Sequence, residues 1–543
     1  MRKSVIIFTL FYILGFSQSF GQCDVLISLT TNVIDGDELG ILPGQTICIE
    51  GGNRDYLIIR NTHGTAENPI IISNDDFPVV IETEHYYGIK ISNCSFIQLT
   101  GTGNTQVTYG FQILRVDQGA GISVTDLSTD VEIDHVEIAD TYIGGVYAKT
   151  DPDCTFTATR DKFTMYNFWL HDCFLHDIPD EGLYIGSSKY TGQTITCDGK
   201  DTTVLPHVIV GARIYNNLVV NTGWDGIQVS STISDCDIYD NIIQYDSQEE
   251  YEYQMSGILI GGGSSCDCYN NQIYDGKGDG IDVLGLGNMK IYNNLIVNAG
   301  QTYKPNDPLA FKHGIYFGET VTTPNATFQV FNNTIVNPKS NGIKFFNDEV
   351  VSAEFINNLI TNPGRLSEEG NQAYINGNQS SINKITNLFS PDNSSVLFLG
   401  QNPYLYDLKP NSPAVNQGTN LSNLGLTFDA LNRERPFHTY FDIGAFECHD
   451  PQADVREVIL DNTLQVFPNP SKDYARVSTA LPQEEIIGMN ILNSQGSIVA
   501  RFTNIKLDTT GSFSLDVSQL PKGMYIIELI SLNNRYYQTF LTQ

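Results

Sequence analysis

The chain has 543 residues and a net charge of −32, from 30 basic and 62 acidic side chains. So negative a surface repels nucleic acid and anionic membranes, which removes both as partners. An acidic polymer would also be repelled unless basic side chains or a bound cation reversed the sign locally, whereas a neutral polymer would not.

In chain order, residues 1–21 (MRKSVIIFTLFYILGFSQSFG) have a basic start, an apolar run and a small-residue exit, and read as a cleaved signal peptide. Cleavage leaves Gln22 or Cys23 first; a lipid anchor on Cys23 is the alternative, but Phe20, Gly21 and Gln22 match a lipoprotein box poorly. No later stretch is apolar enough to span a membrane. Ten cysteines in an exported chain permit disulfides, and Cys154 with Cys197, in adjacent insertions, is the first candidate pair. Cys236, Cys266 and Cys268 fall at inward positions, where buried thiols serve as well as a bridge. No cysteine spacing with nearby histidine suggests zinc.

From about residue 130 the chain repeats. The octad IYNNLIVN (291–298) recurs as IDHVEIAD (133–140), LHDCFLHD (170–177), IYNNLVVN (214–221), IYDNIIQY (238–245), CYNNQIYD (268–275), VFNNTIVN (330–337) and FINNLITN (355–362). A glycine usually follows five residues later and opens a second short strand: GVYAK, GLYIG, GIQVS, GIDVL and GIKFF; GILIG and GIYFG come after longer insertions. No stretch is long or periodic enough for a helix. Short strands returning after about 23 residues are the signature of a parallel β-helix, in which each coil stacks on the last. Column four of the octad (Asn217, Asn241, Asn271, Asn294, Asn333, Asn358) then forms a ladder of amides about 4.8 Å apart at a bend, where asparagine tolerates left-handed φ and bonds exposed backbone. Columns one and six (among them Ile214 and Ile291; Ile138, Val220 and Ile296) form the core. His171 stands at the bend where later copies have Tyr.

These repeats resemble the right-handed parallel β-helix proteins of the pectate-lyase-like superfamily. The resemblance covers most of residues 40–448, with LPGQTICIEGGNRDYLIIRNTHGTAENPIIISN (42–74) similar to the opening coils of polysaccharide lyases and FDIGAFE (441–447) similar to a closing segment. It implies an all-β fold, a right-handed parallel β-helix over 22–448, and an extracellular polysaccharide as partner. Residues 449–460 are a polar junction. Residues 461–543 read as a small antiparallel β-sandwich that resembles the sorting domain of type IX secretion substrates, through FPNP (467–470), NSQG (493–496) and LPKGMYIIEL (520–529). That resemblance implies a Gram-negative cell, contact with the type IX machinery, and release or display at the outer surface. The ending TFLTQ departs from it in lacking basic residues. A carbohydrate-binding sandwich is disfavoured for this tail, since only Tyr536 and Tyr537 offer aromatic surface.

Stacking would line up the residues that flank the repeated glycine on one outer face. Before it stand Gly144, Glu181, Asp225, Ser256, Asp279, His313 and Asn341; two after it stand Tyr147, Tyr184, Gln228, Leu259, Asp282, Tyr316 and Lys344. With Lys149, Asp151 and Trp224 this strip offers acids, a base and aromatic plates for sugar rings. Each acid also has a structural reading, because Asp-Gly and Glu-Gly are turn pairs and every repeat needs a turn.

Three chemistries fit the pattern. A lyase needs a base, for which Lys149 stands, and a cation to neutralise a uronate carboxylate, for which Glu181 and Asp225 could hold calcium. A hydrolase needs two carboxyls: Glu181 and Asp225 one coil apart (about 5 Å) or Asp225 and Asp279 two apart (about 10 Å) bracket the retaining and inverting separations. His313 is the histidine placed for general acid-base work. GDGID (278–282) is similar to the Asp-bearing motif of polygalacturonases, but the Gly-His-Gly and Arg-Ile-Lys partners are missing, so that catalysis does not carry over. Third, the face serves a non-catalytic adhesin, with Tyr147, Tyr184, Trp224, Gln228, Asp282 and Tyr316 contacting glycan. Insertions at 150–167, 187–207, 246–256 and 301–312 lengthen the loops over the central coils, as a built site would require.

Overall fold

The computed structural model describes residues 23–318, 321–368, 370–377, 380–400, 406–437, 440–449, 464–479, 486–493, 498–503, 505–508, 510–531 and 535–542. The signal peptide, most of the junction at 449–460 and three residues of NSQG (494–496) lie outside them.

Each coil contributes one strand to each of three long parallel sheets. The first has thirteen strands, from Val25–Ile27 to Ile382–Ile385; the second twelve, from Gly52–Arg54 to Leu388–Ser390; the third twelve, from Val33–Asp35 to Ile375–Asn376. The octad spans the end of a first-sheet strand, the bend and the next second-sheet strand; the glycine opens the third-sheet strand. Columns one and six point inward and stack isoleucine on isoleucine: Ile214, Ile238, Ile291, Ile243 and Ile296 are wholly buried. The inward residue of 214–221 is Val219, which is buried, not Val220, which points out. A one-residue slip in a strand reverses its faces.

The paired asparagines divide the work of the bend. Column three, not column four, takes the left-handed conformation (Asn216 φ 55°, Asn270 φ 57°, Asn293 φ 55°, Asn357 φ 55°), and so does column eight at the next corner (Asn221 φ 59°, Asn298 φ 59°, Asn337 φ 51°). Column four turns inward. Asn241 Nδ2 donates to Asn271 Oδ1 at 3.0 Å, Asn271 to Asn294 at 3.0 Å, Asn294 to Asn333 at 3.0 Å and Asn333 to Asn358 at 2.9 Å, and Asn387 extends the ladder at 2.9 Å. Each Oδ1 also accepts the backbone N–H of the preceding rung, and each amide donates to a carbonyl one coil back, as Asn294 Nδ2 does to Cys268 O at 2.9 Å. On the outer face of the first sheet, His171 begins an aromatic stack with Tyr215, Tyr239, Tyr269, Tyr292 and Phe331, at centroid spacings of 4.4 to 5.0 Å. Ring faces there are occupied by neighbouring rings, so the stack is not a sugar platform.

The coils end at Ser390. Among the described residues the segment up to Cys448 adds none; it folds over the outer face of the second sheet at its C-terminal coils, where Phe398, Tyr406, Ile443 and Ala445 pack on Leu295, Val297, Val336 and Leu359. FDIGAFE locks this cover down. Asp442 accepts the N–H groups of Asn416 and Cys448, both at 2.6 Å, and the buried Glu447 pairs with Arg435 at 2.9 Å, which reaches Asn293 at 3.0 Å. One short helix, Gly36–Leu39, is capped by Asp35, a single turn that the strand pattern did not reveal.

Cys154 is bridged to Cys197, as the spacing suggested. Cys236 and Cys266 are bridged while Cys268 is a free buried thiol, and Cys23 is bridged to Cys48, which leaves Cys23 no thiol for a lipid. The tail forms a three-stranded and a four-stranded antiparallel sheet around Val477, Ile491, Ile527, Leu529 and Phe540. Among the described residues no helix is long and apolar enough to cross a membrane.

Candidate functional site

With the second sheet covered and the first faced by stacked rings, the third sheet is where the insertions gather. Those at 246–256 and 301–312 precede its strands. Those after Ala148 and Ile185 follow them, the latter carrying a hairpin, Gln193–Cys197 with Lys200–Val204. The Cys154–Cys197 bridge ties these last two together, so one wall of the groove is a cross-linked unit. Register places Ser123, Tyr147, Tyr184, Gln228, Leu259, Asp282, Tyr316 and Lys344 directly over one another along the floor. The repeated glycine is required by close approach: a Cβ on Gly226 would lie 2.6 Å from the Gly257 carbonyl oxygen and 2.6 Å from Ile243 Cγ2.

At the N-terminal end of this floor a cleft of about 540 Å³ is lined by Ser123, Asp126, Tyr147, Lys149, Asp151 and Asp153, among others. Lys149 Nζ lies 3.0 Å from Asp151 and 5.0 Å from the centre of the Tyr184 ring, a cation held on an aromatic face. Tyr147 and Tyr184 meet edge to face at 5.2 Å, and the Tyr184 hydroxyl bonds Ser188 at 2.8 Å. Behind them sits Glu181, only 1 % exposed, with no hydrogen bond completed to either carboxylate oxygen. Burial, reinforced by Asp180, pushes its carboxyl up to about 7; Lys149 and the Tyr147 hydroxyl pull more weakly the other way.

The column before the glycine is not the open strip expected of it. Asp225 is 0 % exposed, and Glu181, Asp279 and His313 are buried with it, because the insertions close over that edge. The two aspartates cap the next coil, whereas Glu181 does not. Asp225 Oδ1 accepts the Ser256 N–H and hydroxyl, both at 2.7 Å, and Asp279 Oδ1 accepts the His313 N–H. Burial holds the Asp225 carboxyl far above its ordinary range. His313 is pushed down to about 4 by burial, and its Nδ1 accepts the Asn341 N–H at 3.3 Å, so at neutral pH it is an uncharged ring with no proton to give from that nitrogen. In the second column Gln228 is also buried, while Tyr147, Tyr184, Asp282 and Tyr316 are half-buried. Trp224 is no free plate: Tyr251, from the 246–256 insertion and itself exposed, stacks on it at 4.3 Å. The structure thus brings Tyr147, Lys149, Glu181 and Tyr184 together at one end and Asp225, Asp279, Asp282 and His313 at the other.

Sequence reasoning missed Lys312 and Asp246, which enter the second group from insertions. Lys312 Nζ donates to Asp279 Oδ2 at 2.8 Å and to the Met255 carbonyl at 3.1 Å. Their only signal was position: Lys312 immediately precedes the column residue His313, whereas Asp246 follows the octad IYDNIIQY and belongs to no column.

Calcium between Glu181 and Asp225 does not fit. Hard cations take six to eight oxygens at about 2.3–2.6 Å, so protein ligands must converge within about 5 Å. Among the described residues the only such group of three or more is Glu132, Asp134 and His171, on the first sheet. That group is already internally satisfied. His171 pairs with Asp172 at 2.7 Å and Glu132 at 3.2 Å, and these carboxylates, against burial, hold the imidazole up to about 9, while Asp134 accepts from Thr100 at 2.6 Å and pairs with His135 at 2.7 Å.

Compared with known proteins, residues 120–389 match the family described as the right-handed beta helix region, and residues 465–543 match the secretion system C-terminal sorting domain. No curated protein matches the chain. Solved structures similar to it include an alginate lyase from Paenibacillus (14% identity, 59% of this chain and 98% of that one, TM-score 0.37). Others are pectate lyase Pel9A (14%, 78% and 97%, 0.42) and the A-module of the Azotobacter vinelandii mannuronan C-5 epimerase AlgE4 (14%, 66% and 93%, 0.36). The sorting domain marks a chain secreted to the cell surface or beyond it.

Proposed function

We propose that this chain, a right-handed parallel β-helix protein with a C-terminal secretion sorting domain, engages an extracellular polysaccharide along its third sheet, with the Lys149 cleft as the reactive end. The observation that carries the reading is the meeting there of a cleft, an ammonium and two tyrosines, with a buried carboxyl, held at about 7, behind them. Sugar rings would rest on Tyr147 and Tyr184, and Lys149 would face the substrate as the base. Of the two enzymatic classes, β-elimination by Lys149 suits this arrangement better than hydrolysis, since Glu181 and Asp225 are too deeply buried to flank a glycosidic bond as a pair. Calcium is assigned no part in it.

The second reading is a non-catalytic glycan binder, favoured by one observation: Lys149 is already ion-paired with Asp151, whereas a base must be uncharged. The purified chain should be offered neutral and uronic-acid polysaccharides while both unsaturated-product absorbance and reducing ends are followed. New absorbance supports elimination, and reducing ends without absorbance move the assignment to hydrolysis. Retention on a glycan column with neither signal makes the protein a binder, and no retention at all overturns the reading.

A further inference from the structure

The second acid group, separate from the Lys149 cleft, contains a cation supplied by the chain. Asp225, Asp246 and Asp279 are buried beneath the two insertions that precede the third-sheet strands, and Asp282 stands on the floor beside them. Asp225 Oδ2, Asp246 Oδ2, Asp282 Oδ1 and Gln228 Oε1 are all enclosed without a hydrogen-bond partner. So many acceptors with so few donors is costly unless a positive charge or protons sit among them.

The charge present is Lys312. Its side chain is 13 % exposed; it touches Asp279 at 2.8 Å and feels the fields of Asp282 and Asp225. Two glycines keep room for the arrangement: a Cβ on Gly276 would strike the Asp246 carboxylate, 1.8 Å from Oδ2, and one on Gly300, at φ +70°, would come 2.1 Å from Lys312 Cβ. The neighbouring cation Lys277 is engaged elsewhere, with Glu250 at 3.0 Å and the Gln248 carbonyl at 3.0 Å. A divalent ion needs several oxygens drawn to one point, which these carboxylates do not provide; a tethered ammonium needs only one good carboxylate contact and the field of the others.

We infer that Lys312 is the built-in counter-ion of this acid group, supplying the positive charge that Asp225, Asp246, Asp279 and Asp282 call for, so that the groove is assembled without metal. Burial pushes the Asp225 and Asp282 carboxyls well above their ordinary range, which lessens the negative charge gathered around that one ammonium. Lys312 also pins the end of the 301–312 insertion to Met255, at the end of the 246–256 insertion, so one charge fixes two walls.

Thermal unfolding of the intact exported chain tests this without any glycan, so its outcome is independent of the polysaccharide assignment. The wild type should unfold at the same temperature, within about 1 °C, in chelator and in millimolar calcium. Lys312→Met should melt several degrees lower in chelator and in millimolar calcium alike, while Lys312→Arg should stay near wild type. A wild type destabilised by chelator overturns the inference even if no variant can be made. So does a Lys312→Met chain as stable as wild type in chelator, or one that calcium restores to wild-type stability.

Discussion

Two columns of buried polar side chains run through the later coils of this β-helix, and they are built on opposite principles. In the asparagine ladder every rung donates to the next rung and to a backbone carbonyl and accepts from the rung before, so nothing is left over. In the acid column on the third sheet one oxygen of Asp225 or Asp279 caps the next coil, and the other faces an orphaned space or Lys312. A fully satisfied column is architecture, since it lowers the free energy of every coil and has no capacity for a ligand. A half-satisfied column under long insertions retains unused hydrogen-bonding capacity at a cost in stability, which is what a functional groove requires.

The contrast can be broken at either column. The largest stability effect should come from the ladder: Asn294→Ala strands the Asn271 N–H and takes one bond each from Asn271 Nδ2, Cys268 O and Asn333 Oδ1, and should cost about 3–5 kcal/mol in chemical denaturation with glycan retention unchanged. Next comes Glu181→Gln, with the opposite sign. Between its ordinary 4.5 and about 7 the folded chain keeps a proton the unfolded chain has lost, so wild-type stability falls as pH rises through that window and levels off above it. Glutamine removes the effect, so the variant should gain on wild type by up to about 3 kcal/mol between pH 5 and pH 8, read from parallel pH–denaturation series. A smaller loss, about 1–2 kcal/mol, is expected for Asp225→Ala, where stranding Ser256 N–H and Oγ is partly offset by removal of a buried carboxyl. Smallest in stability and largest in function is Lys149→Ala, on a part-exposed ion pair: unfolding should move by less than about 0.5 kcal/mol, while turnover or retention of the glycan falls at least tenfold. An inactive Asn294→Ala would remove the purely architectural role given to the ladder, and a fully active Lys149→Ala would remove the functional role given to its cleft.

Much of the architecture is legible in the octads because repetition amplifies weak signals. One Asn-Asn pair says little, but five in register require a stacked bend. Repetition also placed Tyr147, Tyr184, Gln228, Asp282 and Tyr316 in a single column, since the glycine sets the register of every third-sheet strand. The errors arose where two adjacent positions are chemically alike. Either asparagine of the pair could have taken the left-handed turn, and Val219 and Val220 differ only in which face they meet. The site was less legible. The acid column reads as an outer strip because nothing periodic reveals that insertions cover it, and Lys312, Asp246 and Tyr251 belong to no column at all.

The sequence by itself determined the coil, its register, the ladder, the sorting tail and the Cys154–Cys197 pair, all of which depend on local pattern or short reach. Tertiary structure alone decided which polar groups are buried, that Cys23 meets Cys48, that the chain after Ser390 covers the second sheet, and that Lys312 stands among four acids. Those outcomes depend on where non-repeating loops come to rest. Such loops are positioned by packing and charge against coils distant in sequence, interactions that leave no period for the sequence to display.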